Sequence, residues 1–374
     1  MSRCRVLVTL GTRPEAIKLA PVIRELRRSS RFDVVVCATG QHRGMLDQAL
    51  DVFDIRPDRD LNLMRHNQAL PDVAQHVLRG MTEALAGFYA RVPVVHLEAG
   101  LRSDDMHSPW PEEMNRRVVT LVSSLHLAPT ERARLRLVSE GVAADTTCTT
   151  GNTVIDALLA AVHALDARET LRTRLDAQFS MLDGRRRLVL VTGHRRESWG
   201  RGLDEICRAL ATVAHRGDID VVYALHRNPR AREAALRLLS GAGHVHLIDP
   251  LGYIEFVYLL RRCHFVVTDS GGIQEEAPSL GKPVLVVRDT TERPEGIEAG
   301  VARLVGTEHD RIASAMIDLL DDDAAYRSMA RRANPYGDGR AAARAVDFLT
   351  SWWRRAPSNA ERGSAVGSPT GADA

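Results

Sequence analysis

The chain has 374 residues, of which 44% are hydrophobic and 26% charged, and its formal net charge is +2. This length allows two domains with substantial cores. No apolar run is long enough for a transmembrane helix, and the small net charge gives no electrostatic reason to expect a nucleic acid or a membrane as partner. The amino terminus enters a strand pattern directly, without the regions of a signal peptide, so we expect a cytoplasmic protein.

Short apolar runs rich in β-branched residues recur along the chain and predict parallel strands with helices between them. The runs of the first half are RVLVTL, DVVVCAT, VPVVHLE, SLHLAPT and TTCTTG. Those of the second half are RLVLVTGH, DVVYALH, VHLIDP, HFVVTDS, KPVLVVRD and ARLVGT. The two series predict an α/β protein with two similar domains, at 1–165 and 180–337. We expect a helix at about 338–354 to pack back on the first domain, and a disordered polar tail at 355–374.

The interval between DVVVCAT and VPVVHLE is unusually long for such a protein. Residues 40–91 contain no other strand pattern, and the spacing of Val73, Val77, Met81 and Leu85 predicts one amphipathic helix. A chain of this class normally returns to its sheet after each helix through short connections. The interval therefore indicates that a strand is missing.

Five cysteines (Cys4, Cys37, Cys148, Cys207 and Cys263) are scattered without CxxC pairs. We expect buried thiols, with no disulfide framework and no metal site.

Ligands of parallel sheets bind beyond the carboxyl ends of the strands, so the turns there are the candidate site. Ser270, Gly271 and Gly272 lie between a strand and a helix, where free backbone N–H groups favour a diphosphate. Glu275 and Glu276 follow and are candidates to accept hydrogen bonds from ribose hydroxyls. The alternative is a glycine-containing cap whose acidic residues only complement the helix dipole.

The turn GTRPEAIK is the counterpart in the first half. Thr12 and Pro14 are typical of a helix start, and Arg13 and Lys18 place two cations in its first turns. Cations at a helix amino terminus are unfavourable unless an anion binds there. Only Lys18 and Lys282 among the 50 basic residues are lysine, which favours a need for a compact ammonium group at these positions.

Acidic residues and histidines complete the candidate set. Glu98 ends an apolar strand, so we expect burial to raise the pKa of its carboxyl. Glu112 and Glu113 begin a helix, with Arg116 placed for an intrahelical pair, although exposed capping acids would give the same pattern. His194 and His226 end two strands and indicate acid–base chemistry or phosphate contact, with no spacing that supports zinc.

Motifs along nearly the whole chain resemble the non-hydrolysing UDP-N-acetylglucosamine 2-epimerases. They are GTRPEAIKLAPVI, GQHRGMLDQAL, HLEAGLRS, SPWPEEMNRR, TGNTVIDALL, TGHRRESWGRGL, DSGGIQEEAPSLGKPVLVVRDTTERPEG and NPYGDG. The resemblance implies a glycosyltransferase-B-type fold, with two Rossmann-like domains facing a cleft and the nucleotide held mainly by the second. It also implies a homodimer that interconverts UDP-GlcNAc and UDP-ManNAc without a cofactor, by eliminating UDP to 2-acetamidoglucal and adding it back.

The resemblance also implies roles for residues at matching positions. The catalytic candidates are Glu98, Glu112, His194 and Lys18. The candidates for binding UDP or its sugar are Arg13, Arg116, His226, Phe256, Ser270, Gly271, Gly272 and Glu276. A regulatory site for a second nucleotide sugar is implied at Gln41, His42 and Gln48.

One departure from the family concerns the same long interval. Relatives carry a strand and turn that read approximately VLVHGDT before the strand ending in Glu98, and its aspartate belongs to the catalytic set. Here about one βα unit, roughly twenty residues, is absent. We therefore expect the first domain to lack this unit, so that its neighbouring strands either close up or leave a gap. Asp104 and Asp105 are the nearest candidates to replace the aspartate.

Three other functions stay open. If the chain does not interconvert the two UDP-sugars, one alternative is a catalytically impaired homologue that binds UDP-sugars. Another is a hydrolysing 2-epimerase that releases ManNAc and UDP. A glycosyltransferase is the weakest alternative, because SPWPEE and TGHRRES have no evident role there.

Overall fold

A computed structural model describes residues 3–39, 43–61, 87–107, 111–182, 184–193, 201–225 and 229–355. The strands of the first half are β1 (Cys4–Leu10), β2 (Phe32–Ala38), β3 (Arg59–Asp60), β4 (Val95–Leu97), β5 (Leu125–Ala128) and β6 (Thr147–Thr149). Those of the second half are β7 (Arg187–Gly193), β8 (Ile219–Leu225), β9 (Val245–Ile248), β10 (Phe265–Thr268), β11 (Val284–Val286) and β12 (Ala302–Leu304).

Helices connect most of these strands. The first half contains α1 (Arg13–Arg28), α2 (Arg43–Val52), α3 (Glu112–Val122), α4 (Glu131–Ser139), α5 (Thr153–Ala167) and α6 (Glu169–Gln178). The second half contains α7 (Arg201–Ala214), α8 (Pro229–Leu239), α9 (Tyr253–Arg262), α10 (Gly271–Glu276), α11 (Pro294–Glu298), α12 (His309–Asp321), α13 (Asp323–Ala330) and α14 (Ala341–Arg355). This alternation is the α/β class that the sequence predicts.

The second half is built on one parallel sheet of six strands in the order β12-β11-β10-β7-β8-β9. Its central strands are apolar almost throughout because helices cover both faces; Val189, Leu190 and Val191 of β7 are buried. The carboxyl ends of β7 and β10 lie side by side, since Thr192 aligns with Thr268. The turns that follow these strands therefore share one edge of the sheet.

The first half carries two separate parallel sheets, β1-β2-β3 and β4-β5-β6. Among the described residues, β1 pairs only with β2 and β4 pairs only with β5. Leu7 of β1 is 61% exposed and Val95 of β4 is 37% exposed, although both belong to strands of an apolar pattern. The two strands have not closed up on each other, so of the two expected outcomes the described residues show a gap in the first sheet.

Two predictions for the same interval have different outcomes. The expectation that residues 40–91 hold no further strand is wrong, because β3 (Arg59–Asp60) extends the sheet beside β2. Most of the predicted helix at about 73–88 lies outside the described ranges, as does the tail at 356–374.

The two halves are joined by helix packing. Helix α5 packs against α9 and α10 of the second half, and α14 packs against α1 and α5 of the first half. The last contact is the one expected for the carboxyl-terminal helix, while the exact domain limits stay a prediction. All five cysteines are free, and four of them are buried. Across the described ranges, no helix is long and apolar enough to cross a membrane.

Candidate active site

The start of α1 aims Lys18 at the junction of the two halves. Thr12 caps the helix: its hydroxyl accepts from the Glu15 backbone N–H, and the Glu15 carboxylate accepts from Thr12 N–H at 2.9 Å and Gly11 N–H at 2.7 Å. This reciprocal cap fixes the first turn. Lys18 lies one turn further on, with its ammonium group beside Glu98.

Glu98 lies directly after β4, and its carboxylate is gripped by Lys18. The Lys18 ammonium donates to Oε1 at 2.6 Å and to Oε2 at 2.5 Å. Glu98 has a φ of 62°, a left-handed backbone conformation that is costly for a side chain of this kind. Such strain is found where a side chain must be aimed at a site, and here it turns the carboxylate out of the strand.

The expectation of a raised pKa for Glu98 is wrong. Burial does raise the pKa, but Lys18, Arg293 and Arg116 act against it and lower the pKa of Glu98 to about 2. Cations close to a carboxylate outweigh the loss of hydration when there are several of them. Glu98 is therefore ionised at neutral pH.

A buried polar chain connects Glu98 to the second half. The Asn152 side-chain amide donates to Glu98 Oε1 at 3.2 Å and to Glu275 Oε2 at 2.9 Å. Arg293 Nε donates to Glu275 Oε1 at 2.5 Å, and its Nη2 lies 3.9 Å from Glu98 Oε1. Glu275 thus faces the other half rather than a position where ribose hydroxyls could reach it.

The turn that carries Arg293 is held by the NPYGDG motif. The buried Tyr336 hydroxyl accepts from Gly296 N–H at 2.8 Å and donates to the Arg293 carbonyl at 2.9 Å. Asn334 donates to the Glu275 carbonyl at 2.7 Å. The motif therefore supports both members of the Arg293–Glu275 pair.

Helix α3 brings further charges to the site. Glu113 is fully buried and accepts from Ser103 N–H at 3.1 Å and from Arg117 Nε at 3.0 Å. Glu112 is exposed in the first turn of the helix. The guanidinium of Arg116 lies 3.8 Å from Glu113, and its buried Nη1 finds no hydrogen-bond partner among the described residues. Burial lowers the pKa of Arg116, followed by the nearby charge of Arg293.

The glycine turn lies beside this cluster. Ser270 caps α10 without using its hydroxyl for the cap, and Gly271 and Gly272 open the helix. A Cβ at Gly271 would meet Glu292 Oε1 at 3.2 Å, whereas the one contact of a Cβ at Gly272 with the described residues would be Glu276 Oε2, at 4.0 Å. Among the described residues, little therefore obstructs a ligand at the backbone of Gly272.

Glu276 ends α10 in an apolar environment. Tyr253 donates its hydroxyl hydrogen to Glu276 Oε1 at 2.8 Å. Burial raises the pKa of Glu276 to about 7, while the Tyr253 hydrogen bond and the charges of Lys18 and Arg13 oppose the rise. Glu276 therefore changes charge near neutral pH.

A cavity of about 660 Å³ lies between the two halves, beside the turn before α9. It is lined from the first half by Arg13 and Gln48 and from the second half by Leu251 and Tyr253. Arg13 donates to the Leu251 carbonyl at 3.0 Å, which ties the start of α1 to the turn before α9. Phe256 lies one turn along α9 from Tyr253 and is half-buried.

Several predicted residues are not brought into the Glu98 cluster. Asp104 is exposed and pairs with Arg136, and Asp105 accepts from the His107 backbone at 2.9 Å. Neither contacts Glu98. Gln41, His42, His194 and His226 lie outside the described ranges. Within those ranges, no group of three or more His, Cys, Asp or Glu side chains is placed to hold a metal ion.

Sequence reasoning missed Asn152, Arg293 and Tyr336 as members of the site. All three stand in the motifs that carry the family resemblance, TGNTVIDALL, TTERPEG and NPYGDG. The signal was therefore present, but nothing in the local pattern showed that Asn152 and Arg293 reach Glu98 or that Tyr336 supports Arg293.

Two parallel α/β halves joined by a buried polar network around Glu98, beside a glycine turn, define an α/β enzyme of GT-B-like architecture. The sequence model of the UDP-N-acetylglucosamine 2-epimerases matches residues 80–350. The chain belongs to this family. A relative from Ralstonia nicotianae is 51% identical over 93% of this chain and 99% of its own length.

Two further comparisons agree with this assignment. UDP-N-acetylglucosamine 2-epimerase from Escherichia coli O157:H7 is 47% identical over 92% of this chain and 98% of its own length. The crystal structure of UDP-GlcNAc 2-epimerase from Neisseria meningitidis bound to UDP-GlcNAc has a TM-score of 0.87 and 42% identity, covering 93% of this chain and all of that one.

The comparisons also indicate that a segment of a relative is absent from this chain. The alignment with the Ralstonia relative runs over 372 residues but uses 93% of this chain, about 348 residues, so about two dozen positions of the relative have no counterpart here. The family match begins at residue 80, in the last quarter of the interval in which the sequence lacks a strand. Both observations agree with an absent βα unit between β3 and β4.

Proposed function

We propose that this chain interconverts UDP-GlcNAc and UDP-ManNAc by eliminating UDP to 2-acetamidoglucal and adding it back. The observation that carries the proposal is the Glu98 carboxylate, held by Lys18 at 2.5 Å and connected through Asn152 and Glu275 to the helix that the glycine turn opens. This arrangement brings a charged acid–base group and a phosphate cradle into one site. Family membership points the same way.

The chemistry calls for these residue types. The C2 proton of the sugar is not acidified by a carbonyl group, so direct deprotonation is too costly. Elimination avoids this cost: a base takes the C2 proton, the electron pair forms the C1–C2 double bond, and the C1–O bond breaks as UDP leaves. Protonation of C2 on the other face and attack of UDP on C1 complete the epimerisation.

Glu98 and Glu112 are the proposed acid–base groups. Glu98 is ionised at neutral pH because Lys18 and Arg293 stabilise its charge. Substrate phosphates attract Lys18 and Arg116 and so weaken their hold on Glu98, which raises the basicity of its carboxylate in the complex. Cations and backbone N–H groups near the phosphates stabilise the UDP that departs.

The nucleotide is proposed to lie on the second half. Ser270, Gly271 and Gly272 offer their backbone to the diphosphate, and Glu276 accepts from the ribose. Arg13 contacts the turn before α9, and Phe256 lies within α9. Both are proposed to lie on the side of the nucleotide base. Of the residues outside the described ranges, His194 and His226 are proposed as catalytic and phosphate contacts.

The experiment is incubation of the purified, folded chain with UDP-GlcNAc in D2O, with products followed by NMR. We expect UDP-ManNAc that carries deuterium at C2, and none from Glu98→Gln. Absence of product at high concentration of folded protein contradicts the proposal. Binding of UDP without turnover would instead identify a UDP-sugar-binding homologue, and release of free ManNAc and UDP would identify a hydrolysing enzyme.

Three finer features follow from the resemblance and complete the proposal. The chain acts in the cytoplasm as a homodimer, and its product serves cell-surface polysaccharide synthesis. Gln41, His42 and Gln48 form a regulatory site for a second UDP-GlcNAc. The position of Gln48 on the cavity beside Arg13 and Tyr253 supports this last assignment.

A further inference from the structure

Glu98 draws contacts from both halves of the molecule. Lys18 comes from α1 of the first half, whereas Arg293 precedes α11 of the second half. Asn152, at the start of α5, lies between them and donates to carboxylates of both halves. Because Glu98 has contacts from both halves, residues of the second half can influence its orientation and charge.

The second-half part of this network is too buried and too well supported to be a surface contact. Glu275 is fully buried, and Arg293 and Asn152 are 5% and 2% exposed. Glu275 uses one oxygen for Arg293 and the other for Asn152. A buried carboxylate with both oxygens engaged fixes the orientation of its two donors.

We propose that Arg293 and Asn152 are positioning residues for the proposed reaction, which hold the Glu98 carboxylate in its reactive orientation and charge state and are themselves oriented by Glu275 of the second half. Tyr336 and Asn334 brace this assembly from the NPYGDG motif. The inference rests on the proposed function for its kinetic consequence, but the effect on Glu98 itself is independent of turnover.

The groups that face Glu98 come from every neighbouring element. They are Lys18 from α1, His96 from its own strand, Arg116 from α3, Asn152 from α5, Glu275 from α10 and Arg293 before α11. His96 is half-buried and uncharged at neutral pH, because desolvation lowers its pKa to about 3. Glu275 opposes the ionisation of Glu98 through like charge, whereas the cations favour it. Removing Arg293 therefore leaves two carboxylates linked through Asn152 with less positive charge to compensate.

The direct test is the titration of Glu98 in protein labelled with 13C-glutamate, with its signal assigned by its loss in Glu98→Gln. We expect Arg293→Met to raise the titration midpoint by about one pH unit or more, as expected for loss of a cation within about 4–6 Å. Arg293→Lys keeps the charge and should restore the midpoint at least partly. Arg293→Gln, which also removes the charge, serves if Arg293→Met does not fold.

A matched control is available at the same junction. Arg132 pairs with Glu298 across the two halves at 2.6 Å, but both side chains are exposed and neither approaches Glu98. Arg132→Met should leave the midpoint unchanged. The positioning role is overturned if the midpoint in folded Arg293→Met or Arg293→Gln stays within about 0.3 pH unit of the wild type.

The kinetic readout uses the acid limb of the pH profile of kcat/KM. We expect this limb to move to higher pH in Arg293→Met, with Asn152→Ala lowering kcat more than it raises KM. A purely structural role would lower stability without moving the acid limb. If the wild type shows no turnover, the proposed function fails while the titration still decides the positioning role.

Discussion

At the scale of single residues, the Tyr253 hydroxyl controls the charge of Glu276. Burial raises the pKa of Glu276 to about 7, and the 2.8 Å hydrogen bond from Tyr253 opposes this rise by favouring the carboxylate. In Tyr253→Phe the pKa should therefore lie above 7, so that most of the protein carries a neutral acid at pH 7. If the carboxylate accepts from ribose, UDP affinity at pH 7 falls, by about tenfold for each pKa unit, and recovers towards pH 9.

Calorimetric titration of UDP between pH 6 and 9 measures this effect. Tyr258→Phe is the control, because Tyr258 lies on the same helix but bonds to Asp176 and Arg262, away from the glycine turn. An affinity for UDP in Tyr253→Phe that varies with pH as in the wild type would show that Glu276 does not bind as a carboxylate.

Sequence reasoning at the residue scale found the groups whose chemistry is visible locally. Lys18 and Glu98 stand out because a cation at a helix start and a carboxylate at a strand end are both unusual. Their pairing across 80 residues of chain was not visible, and it reversed the expected direction of the Glu98 pKa. Asn152 and Arg293 were missed because an amide and an arginine acquire a role only through partners that the fold supplies.

At the scale of elements, strand β1 should expose one edge to solvent. Cys4 N–H and the Leu10 carbonyl both pair towards β2. Because backbone groups alternate in a parallel strand, the amides of Arg5, Leu7 and Thr9 face the side on which no described strand pairs. We expect these three amides to exchange hydrogen with deuterium much faster than those of a strand paired on both sides.

Amide exchange followed by NMR checks this expectation. Strand β7 is the internal control, because β8 and β10 flank it and Val189 and Val191 are fully or almost fully buried. Protection of the Leu7 amide comparable to that of Val191 would mean that another segment pairs with β1, and the gap in the first sheet would be rejected.

The strands themselves could be predicted because each is a short apolar run between turn residues, and all eleven runs singled out in the sequence coincide with strands of the structure. Strand β3 was missed because it has two residues, both charged, and exists only through its pairing with β2. The order of strands in a sheet depends on which helices cross over, and local pattern carries no information about that choice.

At the scale of the whole molecule, the two halves are unequally complete. The second half keeps one six-stranded sheet, whereas the described part of the first half is divided between two three-stranded sheets. The proposed nucleotide contacts at Ser270–Glu276 lie on the complete half, and Glu98 follows β4 at the edge of the divided one. Binding of UDP is therefore expected to tolerate the missing unit better than catalysis does.

A chimera separates these two consequences. Inserting between β3 and β4 the roughly two dozen residues that the Ralstonia relative has in addition should join the two small sheets and supply the aspartate that the family resemblance implies there. An additional acid or base in position is worth about 10² to 10⁴ in rate, so kcat should rise by a factor in that range while the dissociation constant for UDP changes little. The same insertion with its aspartate changed to asparagine should protect the amides of β1 without raising kcat. A chimera with protected β1 amides and unchanged kcat would assign the missing unit a purely structural role. Glu98 and its network would then suffice for the reaction in a chain that lacks this unit.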